Sequence, residues 1–202
     1  MNDLNVQPDS PKYADILSTA KRLFWKHGIR RVSVEEICQE AGVSKMTFYR
    51  FFPNKVELAK RMLEQIFDDA MRQYRELMDQ DIPFEEKVRQ QLLLKFKGTE
   101  SVSAEFVKDI YSNEDWGLKQ YMEERTEETI KRVIGDYAQA QQMGWIRQDM
   151  NLSFVLYIFH KMPEWINDPH LLAAYPDIHD LIMEIANFFF YGILPHHPKP
   201  DE

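Results

Sequence analysis

The sequence holds a single cysteine, Cys38, among its 202 residues, and it has no long apolar run. One cysteine excludes an intramolecular disulfide and every metal cage that is built from cysteine thiolates. The longest apolar stretch, near residues 188–194, is far shorter than the ~20 residues that cross a bilayer. The N-terminus has neither a basic start nor an apolar segment, so no signal peptide is expected and a cytoplasmic protein is predicted.

Signatures of catalysis are also missing. The sequence has no Gly-x-Ser-x-Gly motif, no phosphate-binding loop and no dinucleotide fingerprint. Its six histidines are not spaced with Asp, Glu or Cys as a metal site requires. We therefore expect no enzymatic activity, no cofactor and no metal site.

Strand patterns, repeats and Gly/Ser linkers are absent, and what remains is helical periodicity. The pattern predicts an all-α fold with about nine helices. They cover residues 10–27, 33–40, 44–52, 54–78, 84–97, 103–112, 152–166 and 177–194, with a long seventh helix that is capped at Ser112 or Asn113 and runs to Met143.

Charge is unevenly distributed along the chain. Residues 11–58 contain nine Lys or Arg and five Asp or Glu, although the whole chain has a net charge of −8. A basic N-terminal region on an acidic body would orient the molecule on DNA, with the body repelled by the phosphates. Accidental clustering is the alternative, and the pattern of residues 33–55 argues against it.

Residues 43–55 predict a short helix with two different faces, because successive helical residues are turned by 100°. Phe51 and Phe52 flank Phe48, and this aromatic side is expected to be buried. The opposite side carries a cation, a hydroxyl, a phenol and a methionine from Arg50, Thr47, Tyr49 and Met46, with Lys45 at its edge. Such a polar face suits the major groove of DNA.

A second short helix precedes this one. It begins at Ser33 and places Glu36 three residues later, which is a capping box. The turn Ala41-Gly42-Val43 joins the two helices. A helix, a tight glycine-containing turn and a second helix with polar atoms outward are typical of a helix-turn-helix.

The same region resembles the DNA-binding domain of the TetR/AcrR family of transcriptional regulators. The resemblance runs without gaps through residues 16–58 and is carried by Ile16-Leu17, Leu23-Phe24, His27-Gly28, Ser33-Val34, Ile37, Ala41-Gly42-Val43-Ser44, Thr47-Phe48-Tyr49, Phe51-Phe52, Asn54-Lys55 and Glu57-Leu58. It implies a helix-turn-helix domain over residues 10–55, a helical ligand-binding and dimerisation domain over residues 56–194, and a flexible tail over residues 195–202.

Two kinds of DNA contact are expected. The resemblance assigns the base edges to Lys45, Met46, Thr47 and Arg50. Tyr49 is expected to donate a hydrogen bond from its phenol to a phosphate. Ser33 and Lys55 are also expected to contact phosphates, because they lie at helix N-termini where an anion is favoured. For Arg30 and Arg31, two interpretations stay open: contact with phosphate or the minor groove, or solvated surface charge.

The helices at residues 152–166 and 177–194 are apolar nearly all round. A surface helix needs only one apolar stripe, so these two need a second packing partner. The resemblance implies a four-helix interface with the same helices of a second copy. The expected interface residues are Phe154, Ile158, Phe159, Ile182, Ile185 and Phe189.

A ligand cavity among helices four to seven is a further expectation. Aromatic and methionine side chains suit an adaptable apolar pocket, and they equally suit a helical core, so both interpretations stay open. The candidate lining residues are Phe67, Met71, Phe96, Phe106, Ile110, Trp116, Tyr121, Met122 and Tyr157.

These features predict a homodimeric transcriptional regulator, a repressor that binds a palindromic operator and is released by a small apolar or amphipathic ligand. The alternative is a helical ligand- or protein-binding protein without specific DNA binding. The polar face with Tyr49, Arg50 and Lys55 argues against it, because a disused face has no reason to keep that chemistry. No membrane partner is expected.

Overall fold

The computed structural model describes residues 10–112 and 116–195. Within those ranges the chain forms ten α-helices and no β-strand, which confirms the predicted all-α fold. The helices are α1 (Pro11–His27), α2 (Val34–Glu40), α3 (Lys45–Phe51), α4 (Lys55–Met78), α5 (Phe84–Thr99), α6 (Ala104–Tyr111), α7 (Leu118–Gln142), α8 (Leu152–Ile166), α9 (Pro169–Ala174) and α10 (Ile178–Ile193). None of these helices has the length and apolar character of a membrane span.

Two compact units divide the chain. The first contains residues 1–70 and 101–122, and the second contains residues 71–100 and 123–202, so α4 contributes to both. The boundary expected between residues 55 and 56 falls inside the first unit, which also includes α6. Of the expected tail at residues 195–202, all but Pro195 lies outside the described residues.

An apolar core fills the first unit. Ile16 and Phe24 of α1 are completely buried, and so is Phe48 of α3. Phe52 follows α3 directly, and its ring stacks on Tyr13 with the centroids 5.1 Å apart. Burying a phenylalanine side chain contributes about 1.5–3 kcal/mol, so the aromatic side of α3 fixes this helix against α1.

Side-chain caps define the starts of the helices near the predicted DNA face. Ser33 Oγ accepts the N–H of Glu36 at 3.1 Å, and Ser44 Oγ accepts the N–H of Thr47 at 3.1 Å. Asn54 caps α4 in the same way through two backbone N–H groups. A cap of this kind contributes about 0.5–2 kcal/mol. The predicted starts of these three helices are confirmed.

The second unit has its own aromatic core around α10. Phe189 is buried, with its ring 4.7 Å from that of Phe159 in α8 and 6.4 Å from that of Tyr137 in α7. Phe84 and Val88 of α5 belong to the same cluster. The helix therefore directs part of its apolar surface into its own unit.

Two helix boundaries differ from the prediction. α5 continues through Gly98 to Thr99, whereas the sequence predicts an end at Lys97. A glycine inside a helix costs about 1 kcal/mol relative to alanine and does not by itself end the helix. α7 begins at Leu118, and the expected cap at Asn113 lies outside the described residues.

The short helix α9 was not predicted. Asp168 precedes it and accepts the backbone N–H groups of His170 and Leu171 at 2.8 and 3.1 Å. Pro169 occupies the first helical position, where its missing N–H costs nothing. Both signals are present in the sequence, but the segment is too short to show helical periodicity.

Substitutions on opposite sides of α3 test whether its aromatic side supports the first unit. Replacing Phe48 by alanine should lower the free energy of unfolding by about 3–5 kcal/mol, because a completely buried ring is lost. Met46 is 84% exposed on the same helix, so Met46→Ala should change it by less than about 0.5 kcal/mol. Urea titration followed by circular dichroism measures both, and equal effects would contradict the assigned orientation of α3.

Candidate nucleic-acid interface

Helices α2 and α3 form a helix-turn-helix within the first unit. The turn between them closes through two backbone hydrogen bonds, from Gly42 N–H to Gln39 O at 3.3 Å and from Val43 N–H to Cys38 O at 3.0 Å. Gly42 has φ 64°, a left-handed conformation that favours glycine. The turn seen in the sequence is therefore formed by the residues that predicted it.

The outer side of α3 matches the predicted polar face. Met46 is 84% exposed and Tyr49 is 50% exposed, and Lys45 and Arg50 are also exposed. Thr47 is only partly exposed, and its Oγ1 lies 3.0 Å from Ser44 Oγ in a hydrogen bond. The helix thus presents a methionine, a phenol and two cations together, which is a surface able to contact bases and phosphates.

Lys45 has an internal partner. Its Nζ donates to Glu35 Oε2 of α2 at 3.0 Å, and this hydrogen bond raises the pKa of Lys45 above its usual value. Both side chains are well exposed, and exposed pairs of this kind contribute little to stability. The pair therefore holds Lys45 beside α2. Because the pair is weak, a DNA phosphate that competes for the ammonium would lose little free energy by breaking it.

Lys55 makes contacts that the sequence did not predict. Its Nζ donates to the carbonyl oxygens of Arg30 at 2.9 Å and of Val32 at 2.8 Å. Partial burial lowers the pKa of Lys55, and the nearby charge of Asp109 opposes that shift. An ammonium has three donors, and two of those of Lys55 hold the loop between α1 and α2.

Arg30 and Arg31 differ in their surroundings. The backbone N–H of Arg30 donates to Asp109 Oδ2 at 2.7 Å, and its guanidinium lies 6.0 Å from the ring centroid of Trp116. Arg31 is exposed, and so is Ser33, which caps α2. Sequence reasoning missed Asp109, because a lone acid in α6 shows no local sign of its partner 79 residues away.

The predicted ligand residues are divided between the two units. Met71, Phe96 and Tyr157 belong to the second unit, and the other six candidates belong to the first. Phe106 and Ile110 are buried, and the ring of Phe106 packs 4.9 Å from that of Trp25. An open groove of about 810 Å³ lies between α1 and α4, and none of the predicted ligand residues lines it.

The predicted dimer residues differ in exposure. Phe154 is exposed, Ile158, Phe159 and Ile185 are partly exposed, and Ile182 and Phe189 are buried within the second unit. The large apolar side chains exposed on α8 and α10 are Phe154, Tyr157, Phe188 and Tyr191. A helix that is apolar all round has no periodic pattern to show which side faces inward.

Comparison with known proteins relates the helix-turn-helix region of the first unit to a family of regulators. A family model described as "Bacterial regulatory proteins, tetR family" matches residues 16–62, which run from within α1 to the early turns of α4. The chain is also 25% identical over 158 residues to the HTH-type transcriptional repressor KstR2 of Mycobacterium tuberculosis. That alignment covers 76% of this chain and 78% of KstR2.

Solved structures share the fold over nearly the whole chain. The fatty acid degradation regulator FadR from Bacillus halodurans has a TM-score of 0.67 at 18% identity, covering 91% of this chain and 97% of FadR. The ketosteroid transcriptional regulator KstR2 of Mycobacterium tuberculosis has a TM-score of 0.59 at 17% identity, covering 94% and 98%. Similarity at this identity establishes the fold and leaves the ligand to other evidence.

Replacing Lys55 by methionine tests the unexpected role of its ammonium. The variant keeps most of the aliphatic chain but leaves the Arg30 and Val32 carbonyls without their donor, which should lower the free energy of unfolding by about 1–3 kcal/mol. Lys60, on the same helix, pairs with Glu57 at the surface, so Lys60→Met should cost less than about 1 kcal/mol. Thermal and urea unfolding measure both, and equal losses would contradict the loop-holding role.

Proposed function

Because the chain belongs to the TetR family of bacterial regulatory proteins, we propose that it represses transcription by binding a palindromic operator as a homodimer, from which a small ligand releases it. The proposal rests on the orientation of α3: its aromatic side is buried, and Tyr49 and Arg50 face outward. A recognition helix must present polar side chains to base edges and remain rigidly supported from behind. The proposed activity is binding without catalysis, in the cytoplasm where bacterial DNA lies.

The chemistry of the exposed face supports two kinds of contact. Tyr49 and Ser33 are suited to phosphate oxygens, and the remaining donor of Lys55 is suited to a third. Arg50 presents a planar fork that matches the O6 and N7 atoms of guanine. Lys45 and Met46 lie on the same exposed side of α3 and complete the proposed base-facing surface, with Thr47 at its partly buried edge.

A second copy of the chain is the proposed partner of the exposed apolar surface on α8 and α10. Phe154 and Tyr157 lie three residues apart on α8, and Phe188 and Tyr191 lie three residues apart on α10, so each pair shares a helix face. Phe188 is 80% exposed. Exposed aromatic side chains of this kind suit an interaction site, and a two-fold dimer would present two recognition helices to a palindrome.

The proposed ligand is small and apolar or amphipathic. Two similar proteins carry names that refer to fatty acid degradation and to ketosteroids, and both names refer to compounds with large apolar surfaces. The aromatic and methionine side chains named from the sequence suit such a ligand. Ligand binding would favour a conformation of the regulator with lower affinity for DNA, and the two affinities would be reciprocally coupled.

Variants of Arg50 and Tyr49 test the proposed division between base and phosphate contacts. Arg50→Ala should lose about 1–3 kcal/mol of discrimination at one base pair in each half-site, while binding to random DNA changes less. Tyr49→Phe should weaken operator and random DNA alike, because a phosphate contact carries no sequence information. Fluorescence anisotropy with genomic fragments and random duplexes measures both effects.

Arg50→Lys serves as the matched control, since it keeps the charge and loses the fork. It should bind random DNA like the wild type and yet discriminate as poorly as Arg50→Ala. Equal loss on operator and random DNA in Arg50→Ala would refute the base-reading role. Absence of binding to every genomic fragment by the wild type would refute the proposed function itself.

The dimer surface is tested at Phe188, whose replacement by glutamate should give a folded monomer, because the contact would bury an unpaired charge. Leu93 is an exposed apolar residue on α5, so Leu93→Glu is the matched control and should remain dimeric. Analytical ultracentrifugation at micromolar concentration distinguishes the two states. A monomeric wild type, or a dimeric Phe188→Glu variant, would contradict the assigned surface.

A further inference from the structure

Asp109 is a buried carboxylate in the first unit, with a side chain only 12% exposed. It lies on α6 and so is not part of the α3 surface that is proposed to face DNA. Burying a charged group is unfavourable unless it is hydrogen-bonded and paired. The partners of this carboxylate therefore indicate what the residue is for.

The hydrogen bond and the ion pair of this carboxylate are both made with Arg30, in the loop between α1 and α2. Asp109 Oδ2 accepts the backbone N–H of Arg30 at 2.7 Å, and Oδ1 lies 3.6 Å from Arg30 Nε. The loop passes so close that a Cβ atom on Gly28 would lie 2.7 Å from Oδ2, and Gly28 has φ 81°. Only glycine satisfies both conditions at this position, so the sequence of the loop is fitted to the carboxylate.

A cation on another helix holds the same residue. Lys55 of α4 donates to the carbonyl oxygens of Arg30 and Val32. Arg30 thus has its N–H bound by an anion from α6 and its C=O bound by a cation from α4. Hydrogen bonds to charged groups are the strong ones in proteins, and both act on this loop.

We propose that Asp109 is a positioning residue for DNA binding, which acts by fixing the loop over residues 28–33. Val32, whose carbonyl belongs to this arrangement, directly precedes Ser33, the N-cap of α2. The loop therefore sets the position of α2 and of the Ser33 side chain, for which a phosphate contact is proposed. The inference depends on the proposed DNA-binding function, and no contact between Asp109 and DNA is part of it.

The attachment of α6 does not depend on Asp109 alone. The backbone N–H of Ser103 donates to Trp25 O at 2.8 Å, and the ring of Phe106 packs on that of Trp25. Removing the carboxylate should therefore free the loop while α6 keeps its place beside α1.

The direction of the effect separates positioning from simple electrostatics. Removing a negative charge from a protein that binds a polyanion should by charge alone strengthen binding and make it more salt-dependent. Loss of a positioned phosphate contact should instead weaken binding and lower the salt slope by about one for each contact that is lost.

The experiment compares the full-length wild type with Asp109→Ala, Asp109→Asn and Glu105→Gln. Glu105 is an exposed acid on the same helix, and its Cβ lies beside Gly28. Glutamine keeps that Cβ, so the variant removes the same charge and leaves the bond between Asp109 and Arg30 in place. Anisotropy titrations with an operator fragment at several salt concentrations give affinity and salt slope. Amide hydrogen exchange of Arg30 without DNA reports directly on the bond to Asp109.

Asp109→Ala should bind the operator about tenfold more weakly, since a hydrogen bond to a charged group is worth roughly that factor, and its Arg30 amide should exchange faster. Asp109→Asn keeps an uncharged acceptor of the same size, so it should fall between the alanine variant and the wild type in both measurements. Glu105→Gln should match the wild type in hydrogen exchange and bind DNA at least as tightly.

An Asp109→Ala variant that binds as tightly as the wild type would overturn the proposal, and so would unchanged exchange at Arg30. If the alanine variant does not fold, Asp109→Asn decides in the same way: weaker binding with a folded chain supports the proposal, and wild-type or tighter binding overturns it. A wild type that binds no DNA fragment would instead refute the proposed function, which keeps the two failures distinct.

Discussion

Burial of the aromatic side of α3 is the constraint on which the first unit depends. Phe48 and Phe52 are enclosed against α1, and Tyr13 stacks on Phe52. Turning the helix by half a turn would expose these rings and bury Arg50, which is unfavourable on both counts. The outward direction of Tyr49 and Arg50 is therefore a consequence of the core, and the proposed recognition surface needs no separate explanation.

Charged residues in the first unit stabilise the structure of the protein itself, in addition to the contacts with DNA that are proposed for some of them. Lys45 pairs with Glu35 at the surface, where ion pairs are weak and a phosphate can compete. Lys55 and Asp109 instead hold a loop through partly buried hydrogen bonds. Lys45 is thus paired at the surface, whereas Lys55 also keeps a loop in place, and only the structure shows this difference between the two cations.

The parts of the fold that were predicted are the ones encoded locally. The caps at Ser33, Ser44 and Asn54 and the turn at Gly42 each show their structure within a few residues, and α2, α3 and the start of α4 follow from them. The all-α class follows in the same way from helical periodicity.

The parts that were missed depend on distant partners or on a missing pattern. Nothing near Asp109 indicates that it meets a loop far away in the sequence. In α10, three consecutive phenylalanines cannot show by periodicity that Phe189 lies inside and Phe188 outside. For that reason the sequence named Phe189 as an interface residue, whereas the structure buries its ring within the second unit and exposes Phe188 on the same helix.

Selection of bound duplexes from a random DNA library tests the central claim most directly, because the operator sequence need not be known beforehand. The account predicts enrichment of one palindromic sequence, with half-sites separated by about one helical turn or a multiple of it, roughly 10–10.5 base pairs each. Enrichment of sequences without two-fold symmetry, or no enrichment over the starting library, would contradict it.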